Sequence, residues 1–89
     1  MLEIGKVYYV KVHVCGHEKH WLFKKCASTR VAAGDRITSC RYCICLDTGY
    51  SNINATAICH DASVIEIKPA NRNHIAIWNR TFNDNIEMV

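Results

Sequence analysis

Two short clusters of cysteine and histidine are the residues of this chain whose types and spacing favour metal chemistry. They lie in segments 13–17 and 40–45 and hold six candidate ligands, namely His13, Cys15, His17, Cys40, Cys43 and Cys45. Thiolates and imidazoles are the ligands that Zn²⁺ prefers, and two compact groups separated along the chain are typical of a four-coordinate structural site. The sequence therefore predicts one tetrahedral zinc ion that joins the two clusters.

The preferred ligands are Cys15, Cys40, Cys43 and His13. His13 and Cys15 are two residues apart, so on a strand they project from one face, and a turn at Gly16 lets His17 swing back as an alternative to His13. Cys40 and Cys43 have the C-x-x-C spacing of a zinc knuckle, with Cys45 as the alternative to Cys40. The competing interpretation is a set of buried thiols in a β core, because cysteine is among the most often buried residues.

A metal ion that cross-links distant segments suits the size of the chain, which has 89 residues. A hydrophobic core of this size stabilises a fold by only roughly 3–5 kcal/mol. The first residues do not form a secretory signal, and no apolar run approaches the roughly 20 residues that span a bilayer. We therefore expect a cytoplasmic protein that does not enter membranes, with cysteines that bind Zn²⁺ rather than form disulfides.

The apolar residues predict a mainly β fold. Tyr8, Val10 and Val12 alternate with polar residues, which is typical of a half-buried strand over 6–14. Further short strands are predicted over 21–26, 43–46, 55–60, 63–68, 74–79 and 86–89, with one helical turn over 28–34 and no amphipathic helix. Segment 36–40 is expected to lead the chain back to the second cluster. The expected architecture is a single domain, 1–89, of short antiparallel strands, in which a zinc-ribbon-like finger spans 13–45 and strands from 46–89 complete the sheet.

Positive charge is concentrated between the two clusters. Segment 19–41 holds one acidic residue, Asp35, and six basic ones, Lys19, Lys24, Lys25, Arg30, Arg36 and Arg41. Its net charge is therefore +5, whereas that of the whole chain is +3. Such a field attracts phosphates, so this basic loop predicts contact with a DNA or RNA backbone. Neighbouring Trp21, Phe23 or Tyr42 could stack on bases, although aromatic residues at alternating positions are more often part of a core.

A resemblance to a known family rests on three motifs in this stretch. The residues are His13-Val14-Cys15-Gly16, a turn over 28–34 that begins with Ser28 and ends with Gly34, and Ser39-Cys40-Arg41-Tyr42-Cys43. Together they resemble the zinc-ribbon finger of phage-borne homing endonucleases, with His13 in place of a cysteine and one extra residue around Cys40. The resemblance covers about a third of the chain and implies a zinc-stapled accessory module of a phage or mobile element, without the nuclease activity.

Other parts of the sequence bear on two further classes of function, a protein-interaction module and an enzyme. A protein-interaction module, such as a small inhibitor or adaptor of a host protein, could use a β edge or the asparagine-rich segment 71–85, although asparagine clusters usually mark turns. An enzyme is not expected. Cys59, His60 and Asp61 provide a nucleophile, a base and an acid, but neighbours on a strand point to opposite faces, so their adjacency argues against a catalytic triad.

Overall fold

The computed structural model describes residues 2–31, 37–40, 42–53, 55–58 and 63–87, with only the backbone described over 38–40 and 55–58. The described elements are β1 (Val7–Val14), β2 (His17–Lys24), β3 (Ile37–Cys40), β4 (Cys43–Cys45), β5 (Ser51–Asn52), β6 (Ala55–Ile58), β7 (Ser63–Pro69) and α1 (Arg72–Phe82). The predicted mainly β class of a small domain is confirmed.

One antiparallel sheet organises the domain. Its five strands lie in the order β5-β4-β2-β1-β7, so β1 and β2 are at its centre. Strands β3 and β6 pair with each other in a separate two-stranded sheet. Ile37 of β3 is fully buried within the apolar cluster on one face of the five-stranded sheet, and α1 packs on the other face.

A two-residue turn connects the central strands. Val14 pairs with His17, so only Cys15 and Gly16 form the loop, with φ angles of 48° and 79°. Positive φ at both central residues is the mark of a type I′ turn, whose twist matches that of antiparallel strands. The predicted turn at Gly16 is confirmed. Because a loop of this kind fixes the register, it also decides which side chains of β1 and β2 share a face.

Both faces of the sheet centre are buried, rather than the single face that the alternation predicts. Even-numbered residues of β1 pack with Phe23 and the thiols of β4 in the first apolar cluster. Odd-numbered Val7 and Tyr9 pack with Leu22 beneath Ile75 and Trp78 of α1. A strand covered on both sides is typical of a sheet with layers on each face.

The strand predicted over 74–79 is wrong, because these residues lie in α1. Ile75, Trp78 and Phe82 recur at helical spacing and all three face the sheet side of the helix. Asn71 caps the first turn by accepting from the His74 N–H at 2.9 Å, and Asn83 ends the helix in a left-handed conformation. Asparagines that the sequence analysis assigned to turns thus define both ends of a helix.

Other boundaries differ from the prediction. Strand β2 begins at His17, earlier than the predicted residue 21, because the tight hairpin lets pairing continue to the turn. Residues 28–31 are not helical, and the rest of the helical turn predicted over 28–34 lies outside the described residues. Ile86 and Glu87 are irregular, and 88–89 are likewise outside the described part of the chain.

The segment after α1 is tied to the sheet by one carboxylate. Asp84 Oδ2 accepts hydrogen bonds from Lys24 Nζ at 2.8 Å and from Trp78 Nε1 at 3.1 Å. The bond from Lys24 is the main reason that the pKa of Asp84 lies below its ordinary value, against the opposing effect of burial. Asp84 therefore satisfies the indole donor of a fully buried tryptophan and neutralises a partly buried lysine.

We expect Asp84→Ala to lower the free energy of unfolding by about 1–3 kcal/mol, because two donors lose their shared acceptor. Since the folded pKa of Asp84 is depressed, its contribution is fully present above the unfolded value of about 3.9 and is lost as the pH falls through the folded pKa. Urea denaturation across this pH range measures both effects.

The matched control for that variant is Asp47→Ala, which removes a second paired but more exposed carboxylate. It should cost less than about 1 kcal/mol, as expected for a surface pair. Equal losses in the two variants, or an Asp84→Ala protein as stable as the parent, would contradict a specific role for Asp84.

Candidate functional site

The first predicted ligand cluster is split between the two faces of the hairpin. His13 follows Tyr9 and Lys11 on the face that carries α1. His17 is paired with Val14, which packs against the opposite cluster, so His17 lies on the other face. Cys15 is exposed in the turn between them. The two histidines therefore point away from each other, and the swing of His17 towards His13 does not occur.

The thiols of the second cluster are buried in the core. Cys43 and Cys45 are 1% and 3% exposed and pack on the face opposite to α1. Cys43 is paired with Phe23, which lies six strand residues from His17, or about 20 Å at the usual rise. Cys45 is paired with Trp21, about 13 Å from His17 by the same measure. The backbone of Cys40 lies in β3 opposite Ala55.

The described conformation does not bring His13, Cys15 and Cys43 together, and the side chain of Cys40, the fourth preferred ligand, lies outside the described part of the structure. His13 is on the opposite face from Cys43, and Cys15 is at the far end of the hairpin, whereas zinc–ligand bonds are only about 2.0–2.3 Å long. Among the described residues, no group of three or more metal-binding side chains converges, and none of the four described cysteine side chains forms a disulfide. Zinc binding stays a prediction.

The four predicted basic residues that the structure describes do not form one continuous surface. Lys24 is already neutralised by Asp84 and is only 24% exposed. Lys19 lies near the hairpin turn opposite Val12, six strand residues and about 20 Å from Lys25. Arg36 and Arg41 are outside the described residues. Lys25 and Arg30 are the two predicted residues that remain at the other end of the sheet.

That end of the sheet gains one lysine that the sequence analysis did not select. Lys6 lies opposite Lys25, whose backbone N–H donates to the Lys6 carbonyl at 3.0 Å. A tight turn follows, in which the Cys26 N–H donates to Thr29 Oγ1 at 3.0 Å and leads directly to exposed Arg30. We call Lys6, Lys25 and Arg30 the basic end. That Lys6 belongs to this end follows only from the pairing register of β1 and β2, which the sequence alone does not reveal.

The aromatic residues beside the basic segment are structural. Phe23 is fully buried and Trp21 is 8% exposed, which confirms the interpretation that they belong to the core. Tyr42 is half-buried and packs edge-on against Phe82 of α1, with ring centroids 5.7 Å apart. Neither Trp21 nor Phe23 presents an open face for a nucleobase.

A titratable cluster that the sequence analysis missed lies on the helix side of the sheet. Tyr9 stacks with His74 and His20, whose ring centroids are 5.1 and 6.1 Å from its own. Burial, and then the nearby carboxylate of Glu66, raise the pKa of Tyr9. Asp47 accepts from the His20 backbone N–H at 2.7 Å and lies 3.0 Å from its Nδ1. The sequence carried no signal for this cluster because its members come from four separate segments.

Burial and hydrogen bonds shift the pKa values of groups in this cluster. The hydrogen bond to the His20 side chain is the main reason that the pKa of Asp47 is lowered. Burial, aided by Lys68, lowers the pKa of His74. His74 Nδ1 accepts from the Asn71 N–H at 3.2 Å, so its neutral ring carries the proton on Nε2. Cys59, His60 and Asp61 lie outside the described residues.

Comparison of the chain with protein-family models, with curated proteins and with solved structures found no match. The resemblance to zinc-ribbon fingers therefore stays a hypothesis that rests on the motifs alone. A search of the described residues for a helix with the length and apolar character needed to cross a bilayer found none.

We expect Cys15→Asn to stabilise the protein by about 0.5–1 kcal/mol, because asparagine tolerates the left-handed conformation and Asn-Gly is the preferred type I′ pair. Denaturant unfolding under reducing conditions measures this gain.

The Cys15→Asn variant also tests the zinc prediction by elemental analysis. We expect its zinc-to-protein ratio to equal that of the parent, and loss of one equivalent of zinc in the variant would contradict the register described above.

Proposed function

We propose that this domain is a small binding module that contacts the phosphate backbone of DNA or RNA through its basic end. The single observation that carries the proposal is the placement of Lys6 opposite Lys25 next to exposed Arg30, at the start of the segment that continues to Arg36 and Arg41. Clustered cations of this kind bind phosphates by releasing counterions. No catalytic role is proposed.

The surroundings of the basic end support this proposal. The side chain of Lys6 is 48% exposed, and its ion pair with Glu3 is 3.9 Å long and solvent-exposed. Exposed pairs at this distance contribute little, so a phosphate can compete with Glu3 for the lysine. Lys24, by contrast, is held by Asp84 and is left out of the proposed interface.

The proposed contacts are to phosphates rather than to bases. Trp21 and Phe23 are buried, so the stacking contacts considered for them have no open surface. Binding through phosphates alone has little sequence preference and falls steeply with salt. We therefore expect similar affinity for different sequences of equal length.

The test is the salt dependence of nucleic-acid binding, measured by fluorescence anisotropy with labelled DNA and RNA oligonucleotides. We expect affinity to fall strongly between roughly 50 and 200 mM salt. The double variant Lys25→Gln with Arg30→Gln should reduce the slope of log affinity against log salt by about 2, because each phosphate contact contributes about 0.9.

The matched control is Lys11→Gln with Lys68→Gln, which removes the same charge from the helix side of the sheet. This control should retain the parental slope. Absence of binding at low salt, or equal loss in both double variants, would overturn the proposal, because the latter would mean that net charge alone matters.

A second candidate function is binding of a protein at the sheet edge beside β5. Tyr50 and Ile53 flank this two-residue strand and are 58% and 57% exposed. Exposed apolar side chains at an edge strand are typical of interaction sites. If the parent retains one host protein in a salt-insensitive pull-down and binds no nucleic acid, and Tyr50→Ser with Ile53→Ser loses that protein, this edge rather than the basic end is the binding surface.

A further inference from the structure

The first turn of α1 is closed by a reciprocal pair of hydrogen bonds between Asn71 and His74. The His74 backbone N–H donates to Asn71 Oδ1 at 2.9 Å, and the Asn71 backbone N–H donates to His74 Nδ1 at 3.2 Å. This arrangement is a capping box, in which the third helical position is usually Glu or Gln. A histidine at that position accepts the second bond only while its Nδ1 carries no proton.

The same imidazole covers a tyrosine of the sheet. His74 stacks on Tyr9 of β1, with ring centroids 5.1 Å apart and an angle of 5° between the ring planes. Tyr9 is 9% exposed and belongs to the apolar cluster beneath the helix. One side chain therefore closes the first turn of α1 and also attaches that turn to β1.

The surroundings of His74 disfavour a positive charge on its ring. Lys68 Nζ on β7 lies 5.1 Å from the centroid of the Tyr9 ring, so a protonated His74 would bring a second cation to the same ring. The first turn of α1 begins with Arg72 and contains no acidic residue, so the positive end of the helix dipole is not offset there. Burial, and then Lys68, lower the pKa of His74 accordingly.

The carboxylates on this side of the sheet are already opposite other cations. Asp47 lies 3.0 Å from Nδ1 of His20, the β2 residue that also stacks on Tyr9. Glu66 of β7 is paired with Lys68 at 4.0 Å. Among the described residues, His74 has no carboxylate within ion-pair distance. A charge on His74 is therefore not compensated by a partner.

We propose that His74 is a pH switch for the first turn of α1, which is closed on Tyr9 while the imidazole is neutral and is released when the imidazole is protonated. A proton taken from solvent by Nδ1 turns the acceptor of the Asn71 N–H into a donor, so the capping box opens. Lys68 and the helix dipole then repel the new charge, and release of the turn uncovers the Tyr9 ring. The proposal is independent of nucleic-acid binding at the basic end.

The pH range of the switch follows from the direction of the pKa shift. Because the folded pKa of His74 is lower than its unfolded value of about 6.5, the fold favours the neutral ring. The stabilisation from His74 is fully present above the unfolded value and is lost as the pH falls through the folded pKa. The turn is therefore closed at neutral pH and is released on acidification.

The test is an NMR titration of isotopically labelled protein between about pH 8 and pH 5, the range over which histidines change charge. The nuclear Overhauser contact between the rings of His74 and Tyr9 should be strong at the upper limit and lost at the lower one. Its midpoint should equal that of the His74 ring titration. The contact between Trp78 and Phe82, whose centroids are 4.4 Å apart, is the internal reference and should not change. A His74–Tyr9 contact that persists after His74 is protonated would overturn the proposal.

His74→Gln separates the cap from the titration, because glutamine keeps an acceptor at the third helical position and carries no titrating proton. The Asn71 amide signal should shift with the His74 titration in the parent and stay constant over the same range in this variant. The matched control is His17→Gln, which removes an exposed histidine at the hairpin turn and should behave as the parent. An Asn71 signal that shifts equally in the parent and in His74→Gln would contradict the switch.

Lys68→Gln tests the repulsion that opposes a charged His74. Removal of this cation should move the midpoint of the His74 titration to higher pH, because the imidazolium is then repelled less. Lys19→Gln removes the same charge near the hairpin turn, opposite Val12, and should leave the midpoint unchanged. Equal midpoints in the two lysine variants would contradict the part assigned to Lys68.

Discussion

The register of the β1–β2 hairpin is the constraint on which the rest of this structure depends. The loop contains only Cys15 and Gly16, both with positive φ, so the chain reverses with Val14 directly opposite His17. Because β1 and β2 are the central strands, this single turn determines which side chains face α1 and which face the second sheet. A slip of one residue would exchange the two sets and place each against the packing partners of the other.

The same constraint separates the chemistry-bearing residues. It directs His13 to the helix side and Cys43 and Cys45 to the opposite side, so this imidazole and these thiols do not share a face of the sheet. It also places Lys6 against Lys25 at the end of the sheet, where no sequence spacing links them. The thiols accordingly serve as small apolar core residues in this conformation, while the exposed cations are the groups available to a ligand.

The sequence predicted the local features well and the long-range ones poorly. Alternation in 7–14 and Gly16 specified a strand and its turn, because both signals are contained in a few residues. The helix was missed since Ile75 and Ile77 alternate like strand residues, although Asn71 as a cap and the spacing of Trp78 and Phe82 carried the correct signal. Tertiary packing decided between the two patterns.

The site predictions depended on contacts that no local pattern contains. Neutralisation of Lys24 requires Asp84, which is 60 residues away in the chain. The stacking of His74 on Tyr9 likewise requires that the first turn of α1 pack against β1, which lies more than 55 residues earlier in the chain. Spacing could nominate metal ligands, but only the pairing of strands shows whether they share a face.

The most direct test of this account is a measurement of the β1–β2 register by backbone nuclear Overhauser contacts in isotopically labelled protein. The account predicts cross-strand contacts that place Val10 opposite Trp21 and Val12 opposite Lys19, in protein prepared with or without added zinc. Contacts that place Val12 opposite His20, or a zinc-dependent change that brings Cys15 next to Cys43, would contradict it.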